Sequence, residues 1–184
     1  MNLLEFRQEK DQFFKSRNSP LPASIRAIFT GLKYFDENPN LRQTVALEPD
    51  ANQEAVLMQT STGSERVYLR LGWVSFVVEN LNSRLAVFVP EGEPEATELF
   101  IPFRDASSGQ ETYGSGRYLE AERSGDKVIL DFNLAYNPYC AYSDGWSCPI
   151  PPLENWLKVP IQAGEMLPPK LEPVSNVIIG GDDD

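Results

Sequence analysis

The residues best equipped for chemistry are concentrated between Leu99 and Cys148. Arg104, Asp105, Glu111, Thr112, Tyr113, Arg117, Asp131, Asn133, Tyr136, Asn137 and Cys140 stand there among glycines and apolar runs. Glu111 or Asp131 fits a general base, Tyr113 an acid, and an arginine an oxyanion stabiliser. A planar guanidinium, as on Arg104 or Arg117, grips a carboxylate or phosphate with two hydrogen bonds. The expected binding set is therefore Arg104, Asp105, Tyr113, Arg117, Asn133, Tyr136, Asn137 and Cys140, with a small polar or anionic molecule as ligand. The same residues allow a plainer reading. Asp105 can pair with Arg104 or Arg117, Glu165 can take up one of the arginines, and buried Asp131 and Asn133 can fasten the chain that follows.

Several chemistries are excluded. The chain has no histidine, so Ser-His-Asp and Cys-His machinery and His-based metal sites are impossible. Asp105, Glu111, Asp131 and Asn133 could supply an oxygen-only metal site, but their spacing matches no calcium loop, and the expectation is no metal and no cofactor. Sixteen basic against 27 acidic residues give a net charge of −11. Such a surface repels phosphate backbones and anionic lipid, so neither nucleic acid nor a membrane is an expected partner. Cys140 and Cys148 are eight positions apart. A disulfide between them is sterically feasible, but the N-terminus has no apolar leader core and reads as cytoplasmic, where two packed thiols are expected.

The elements that must position these groups are mostly strands. Leu3, Leu4, Phe6, Phe13 and Phe14 recur at helical spacing, predicting an amphipathic helix over roughly residues 2–17. Ser24 is a candidate cap for a short second helix. From Arg42 the period changes to two, predicting strands at 44–47, 55–59, 66–72, 74–79, 85–89, 97–103, 118–122 and 127–132. About eight short strands without intervening helices point to an antiparallel barrel or two-sheet sandwich. An eight-stranded barrel leaves room inside for one small ligand. Prolines at 138, 149, 151, 152, 160, 168, 169 and 173 forbid a central strand beyond this point. Yet Trp146, Trp156, Leu157, Val159 and Ile161 are too apolar to be free, so a wrap lying over the sheet is expected. The reading is one mainly β domain over 1–175, comprising a helical segment at 1–35, strands at 42–132, a Pro-rich wrap at 133–175, and then a flexible acidic tail at 176–184.

Long motifs carry a family resemblance. They run Phe103-Arg104-Asp105, Glu111-Thr112-Tyr113-Gly114, Gly116-Arg117-Tyr118, Asp131-Phe132-Asn133, Ala135-Tyr136-Asn137-Pro138, Cys140-Ala141-Tyr142, Cys148-Pro149 and Ala163-Gly164-Glu165. Together with Phe6-Arg7, Ser19-Pro20-Leu21 and Tyr34-Phe35 they resemble the bacterial and archaeal family known as domain of unknown function 1684. Ser107 departs from the threonine more common in that family but keeps the hydroxyl. The resemblance implies one domain whose site-like segments belong together, and it implies no activity. Three functional expectations follow: small-molecule binding through a polar pocket on a β scaffold, a His-free hydrolase or isomerase, or a structural protein in which the polar cluster only clasps the fold. The oligomeric state is open.

Overall fold

The computed structural model describes residues 2–172, so the expected acidic tail lies outside the described residues. Helix α1 (Leu3–Lys15) begins with a capping box. The Asn2 side chain accepts from the Glu5 amide at 2.9 Å, and the Glu5 carboxylate accepts from the Asn2 amide at 2.9 Å. The second helix is a single turn, α2 (Ala23–Arg26), preceded by Pro22 rather than capped by Ser24.

Seven strands follow among the described residues: β1 (Arg42–Pro49), β2 (Ala55–Gln59), β3 (Glu65–Val78), β4 (Leu81–Pro90), β5 (Glu98–Phe103), β6 (Arg117–Ser124) and β7 (Lys127–Asp131). All pair antiparallel in the order β1-β7-β6-β5-β4-β3-β2, and β1 also pairs with β3. That last pairing closes six strands into a barrel and leaves β2 as an extension on β3. Closure removes exposed edges, and it decides for a barrel over a sandwich.

The count is seven rather than eight because 66–72 and 74–79 are two halves of one 14-residue strand. Its first half pairs with β2 and its second with β1, and the register shifts between Arg70 and Gly72. Gly72 has φ of 156°, and a Cβ there would lie 2.1 Å from the Glu48 carbonyl oxygen. A glycine that looks like a strand terminator is instead the point where β1 crosses closely over β3. Gly72→Ala is expected to lower stability by at least about 2 kcal/mol, through that clash and the strained dihedral, read as a lower urea midpoint.

Six strands enclose a narrow interior filled by side chains. Val74, Leu85, Val87, Leu99, Ile101 and Leu119 are all 0 % exposed along it, in place of the ligand space expected for eight strands. The outer face is partly apolar too. Ala86 and Phe88 point outward from β4 and are buried with Met58 under Tyr68, Trp73 and Phe100. Strand β4 is thus covered on both faces, which is why 85–89 reads as an unbroken apolar run.

After β7 the chain forms no strand through residue 172, only 3-10 turns at Phe132–Leu134, Tyr139–Ala141 and Leu153–Asn155. Short bridges tie this wrap to the rest: Tyr136 to Tyr118, Pro149 to Thr60, Trp156 to Arg104 and Glu165 to Tyr34. Ile161 and Ala163 join the barrel core. Strands β4 and β5 share only the Phe88–Phe100 pair, and the side chain of Asn155 fills the opening beside it. Its Oδ1 accepts from the Ala86 amide at 2.8 Å, while Nδ2 donates to the carbonyls of Ala86 at 2.9 Å and Pro102 at 2.8 Å. No helix among the described residues is long and apolar enough to cross a membrane.

Candidate functional site

The dense polar segment resolves into two places with different chemistry. The first is a buried clasp at one mouth of the barrel. Side chains alternate along β6, so Arg117 points inward with Leu119 and Ala121. Arg117 is 1 % exposed, its guanidinium 5.3 Å from the centre of the Phe103 ring. Nη2 donates to Asp105 Oδ2 at 2.9 Å and to the Ile161 carbonyl at 2.7 Å; Nη1 donates to the carbonyls of Ala163 at 2.5 Å and Glu165 at 3.0 Å. Burial pulls the Arg117 pKa down, and the charge of Asp105 opposes that shift. Asp105 is held from its other side: Oδ1 accepts from the Ser107 amide at 2.7 Å and from the Ser107 hydroxyl, which meets Thr112 Oγ1 at 2.9 Å. Gly116 lets the chain pass close by, since a Cβ there would lie 2.5 Å from the Phe103 carbonyl oxygen.

Neighbouring residues extend this clasp. Glu165 is 1 % exposed, and its partner is not an arginine side chain but Lys10 of α1, at 2.5 Å. Its Oε2 accepts from the Asn137 amide and the Tyr142 hydroxyl, each at 2.8 Å. Asn137 Nδ2 donates to the Met166 carbonyl at 2.9 Å and to the Tyr142 hydroxyl oxygen at 3.1 Å. Asn133 grips Asn38 by both backbone groups, accepting from its amide at 2.8 Å and donating to its carbonyl at 3.0 Å. Asp131 and Asn133 do not share an inward face, because β7 ends at Asp131 and a 3-10 turn begins. Asp131 instead caps that turn, accepting from Asn133 at 3.1 and 2.9 Å.

The remaining candidates are dispersed. Arg104 stacks 4.2 Å above the centre of the Trp156 ring. Glu111 accepts from Gln162 at 3.0 Å. Tyr113 is half-buried, its carbonyl accepting from Gly116 at 3.0 Å. Cys140 and Cys148 form a disulfide across Cα atoms 6.5 Å apart, contrary to the expected free thiols. The loop between them carries Gly145, at φ 91°, which lets eight positions close this tightly. Asp105, Glu111, Asp131 and Asn133 do not converge, and no group of three acidic or thiol side chains among the described residues is placed to hold a metal.

The second place is a groove on the outside of the barrel. Glu98 and Phe100 on β5, and Tyr118, Glu120 and Glu122 on β6, all point outward. Tyr68 stacks on Phe100 at 5.3 Å, Phe100 meets Tyr118 edge-on at 4.9 Å, and Tyr118 meets Tyr136 edge-on at 5.8 Å. This aromatic row walls a cavity of about 560 Å³ that Arg66, Glu98 and Glu120 also line. A second cavity of about 570 Å³ shares Glu98 and Glu120 and continues over Glu122, Ile129 and Asp131 toward Leu3 and Phe6 of α1. The disulfide loop forms the other shoulder, with Trp146 5.0 Å from Tyr139. Tyr118 donates to the Pro149 carbonyl at 2.6 Å and Tyr136 to Glu120 Oε1 at 2.6 Å. Burial, and for Tyr136 the adjacent Glu120 carboxylate, push both phenols up, so they act as protonated hydrogen-bond donors.

Of the sequence-based candidates only Tyr136 and Asp131 line these cavities. Tyr68, Phe100, Tyr118, Arg66, Glu98 and Glu120 were not anticipated. One signal for them was present: aromatic residues stand at the outward positions of strands whose inward positions are already apolar.

Residues 27–166 match the family described as "Protein of unknown function (DUF1684)". The chain belongs to the DUF1684 family. The matched segment holds the whole barrel, the Asp105–Arg117 clasp and the aromatic wall, while α1 with Lys10 and Phe6 precedes it. This DUF1684 chain is also similar to a structure solved by NMR in solution, that of the uncharacterized protein from gene locus rrnAC0354 of Haloarcula marismortui. The two are 42 % identical, with 89 % of this chain and 91 % of that one covered, at a TM-score of 0.70. No curated protein matches.

Proposed function

We propose that this DUF1684 protein binds a small molecule in the outer groove walled by Tyr68, Phe100, Tyr118 and Tyr136, and that its buried polar cluster fastens the wrap to the barrel. The single observation that carries the reading is the contrast between the two places. Both terminal nitrogens of Arg117 are spent on Asp105 and three wrap carbonyls, whereas the groove is concave, walled by four aromatic rings, and edged by carboxylates with open positions. Ligand sites are typically concave and apolar with a few fixed polar groups. Its volume of about 560 Å³ suits a drug-sized molecule. The arginines first expected to bind an anion are engaged elsewhere, which moves the binding residues to the groove.

A catalytic reading has less support. Glu111 is tied to Gln162, and Asp131, though it lines the groove's far end, caps its own turn and lies 3.7 Å from Arg42. Saturation-transfer NMR with benzyl alcohol as probe tests the proposal. The wild-type protein should give transfer to the probe ring, and Thr97→Trp, which fills the groove from an exposed position, should abolish it without changing the circular dichroism spectrum. Equal transfer in both proteins overturns the groove as the binding site.

A further inference from the structure

The charge of the groove specifies its occupant further, on the basis of the binding reading above. Glu98 on β5 stands directly opposite Glu122 on β6, and Glu120 lies two residues along the same face. Like charges directly opposed across an antiparallel pair destabilise it. Among the described residues neither Glu98, Glu120 nor Glu122 has an ion-pair partner; the closest contact is the neutral Tyr136 hydroxyl on Glu120. Several other acids have arginine partners. Glu48 pairs with Arg84 at 2.8 Å, and Arg70 joins Asp50, Glu54 and Glu154. Three carboxylates without ion-pair partners thus share one face of β5 and β6, and Glu98 and Glu120 are the edge the two cavities share.

The basic groups nearest the groove do not cancel their charge. Arg66 lines the first cavity and keeps its charge, since its partner is the neutral Ser147 carbonyl at 2.8 Å, but it stands there against three carboxylates, Glu93, Glu98 and Glu120; Arg42 lies 3.7 Å from Asp131. Lys10 sits 4.5 Å from the centre of the Tyr136 ring, but its ammonium is paired with Glu165. It also shows that a Tyr136 face accepts a cation in this setting. The carboxylates are strung along two strands rather than gathered, and none of the described acidic groups is placed to hold a metal ion.

From the aromatic wall beside an unneutralised acidic ridge, we infer that the ligand is an organic cation: an amine or quaternary ammonium carrying an apolar body. The body lies on Phe100 and Tyr118, and the positive charge stands over Glu98 and Glu120. An anion would meet repulsion at the ridge, and a neutral ligand would leave it uncompensated. The ridge then costs stability in the empty protein and contributes affinity in the loaded one.

Calorimetric titration with three probes of one shape tests this: benzyltrimethylammonium, benzyl alcohol and phenylacetate. The cation should bind about tenfold more tightly than the alcohol, and the carboxylate most weakly. Added salt should weaken the cation alone. Glu98→Gln should bring the cation to within about threefold of the alcohol while raising the melting temperature by roughly one to three degrees, since it removes the opposed pair. Glu120→Gln keeps an acceptor for Tyr136 and should reduce the cation's advantage as well. If the alcohol or phenylacetate binds as tightly as the cation, and Thr97→Trp blocks them, the cation assignment is overturned and the groove reading stands. If no probe binds, both are overturned.

Discussion

Arg117→Met is expected to be the most damaging single substitution in the chain, lowering stability by about 3–5 kcal/mol. Methionine fills much of the volume above Phe103 but donates nothing. It would leave the Asp105 carboxylate buried without its cation, and the carbonyls of Ile161, Ala163 and Glu165 without a donor. Breaking a buried pair from one side is costly because the surviving charge keeps its desolvation penalty. For a domain of this length the melting temperature should fall by roughly ten degrees or more. Removing both charges, as in Asp105→Leu with Arg117→Met, should recover part of the loss, since no lone charge remains. Thermal unfolding followed by circular dichroism gives all three values. A loss below about 1 kcal/mol for Arg117→Met would mean the clasp does not hold the wrap.

Asn155→Ala should be the next largest loss, about 3 kcal/mol. The amide is 0 % exposed and stands in for a missing strand partner, bonding the Ala86 amide, the Ala86 carbonyl and the Pro102 carbonyl. Alanine leaves three buried backbone groups unpaired, each costing on the order of 1 kcal/mol or more. Asn155→Asp separates hydrogen bonding from volume. A carboxylate can still accept from Ala86, but it faces two carbonyl oxygens it cannot donate to. That environment raises its folded pKa above the unfolded value. The folded state then binds the proton more tightly, so stability should recover as pH falls and the acid regains a donor. Asn155→Ala should show no such recovery specific to residue 155. Urea unfolding at two pH values distinguishes them.

How much of this was legible in the sequence varies by element for physical reasons. A two-residue period marked strands with one buried face, and an unbroken apolar run marked β4, which is covered on both. The period failed at Gly72, where one residue type signals both a strand end and a close crossing, and only the Glu48 carbonyl 2.1 Å from an added Cβ tells them apart. The polar density between Leu99 and Cys148 contains the Asp105–Arg117 clasp, and the pairing of those two residues was among the options the sequence left open. It did not say whether they converge on a ligand or on the chain itself. That is set by carbonyls 44 to 48 residues away, and carbonyls carry no sequence signature. The cysteines were read from an expected compartment rather than from geometry, and the structure closes them. The groove went unread because its wall is assembled from β3, β5, β6 and the wrap, each giving one aromatic ring. Glu98 and Glu122 looked like ordinary solvated charges until the β5–β6 register set them face to face.

The central claim is that the clasp is structural and the groove receives the ligand. The most direct test is an NMR titration of the ¹⁵N-labelled protein with benzyltrimethylammonium, following backbone amides and the Arg117 and Asn155 side-chain signals. The expected result is saturable shifts confined to Glu98–Phe100, Tyr118–Glu120 and Tyr136, with the Arg117 and Asn155 side chains unmoved. Shifts centred on Asp105, Arg117 and Asn137, with the groove silent, would contradict it.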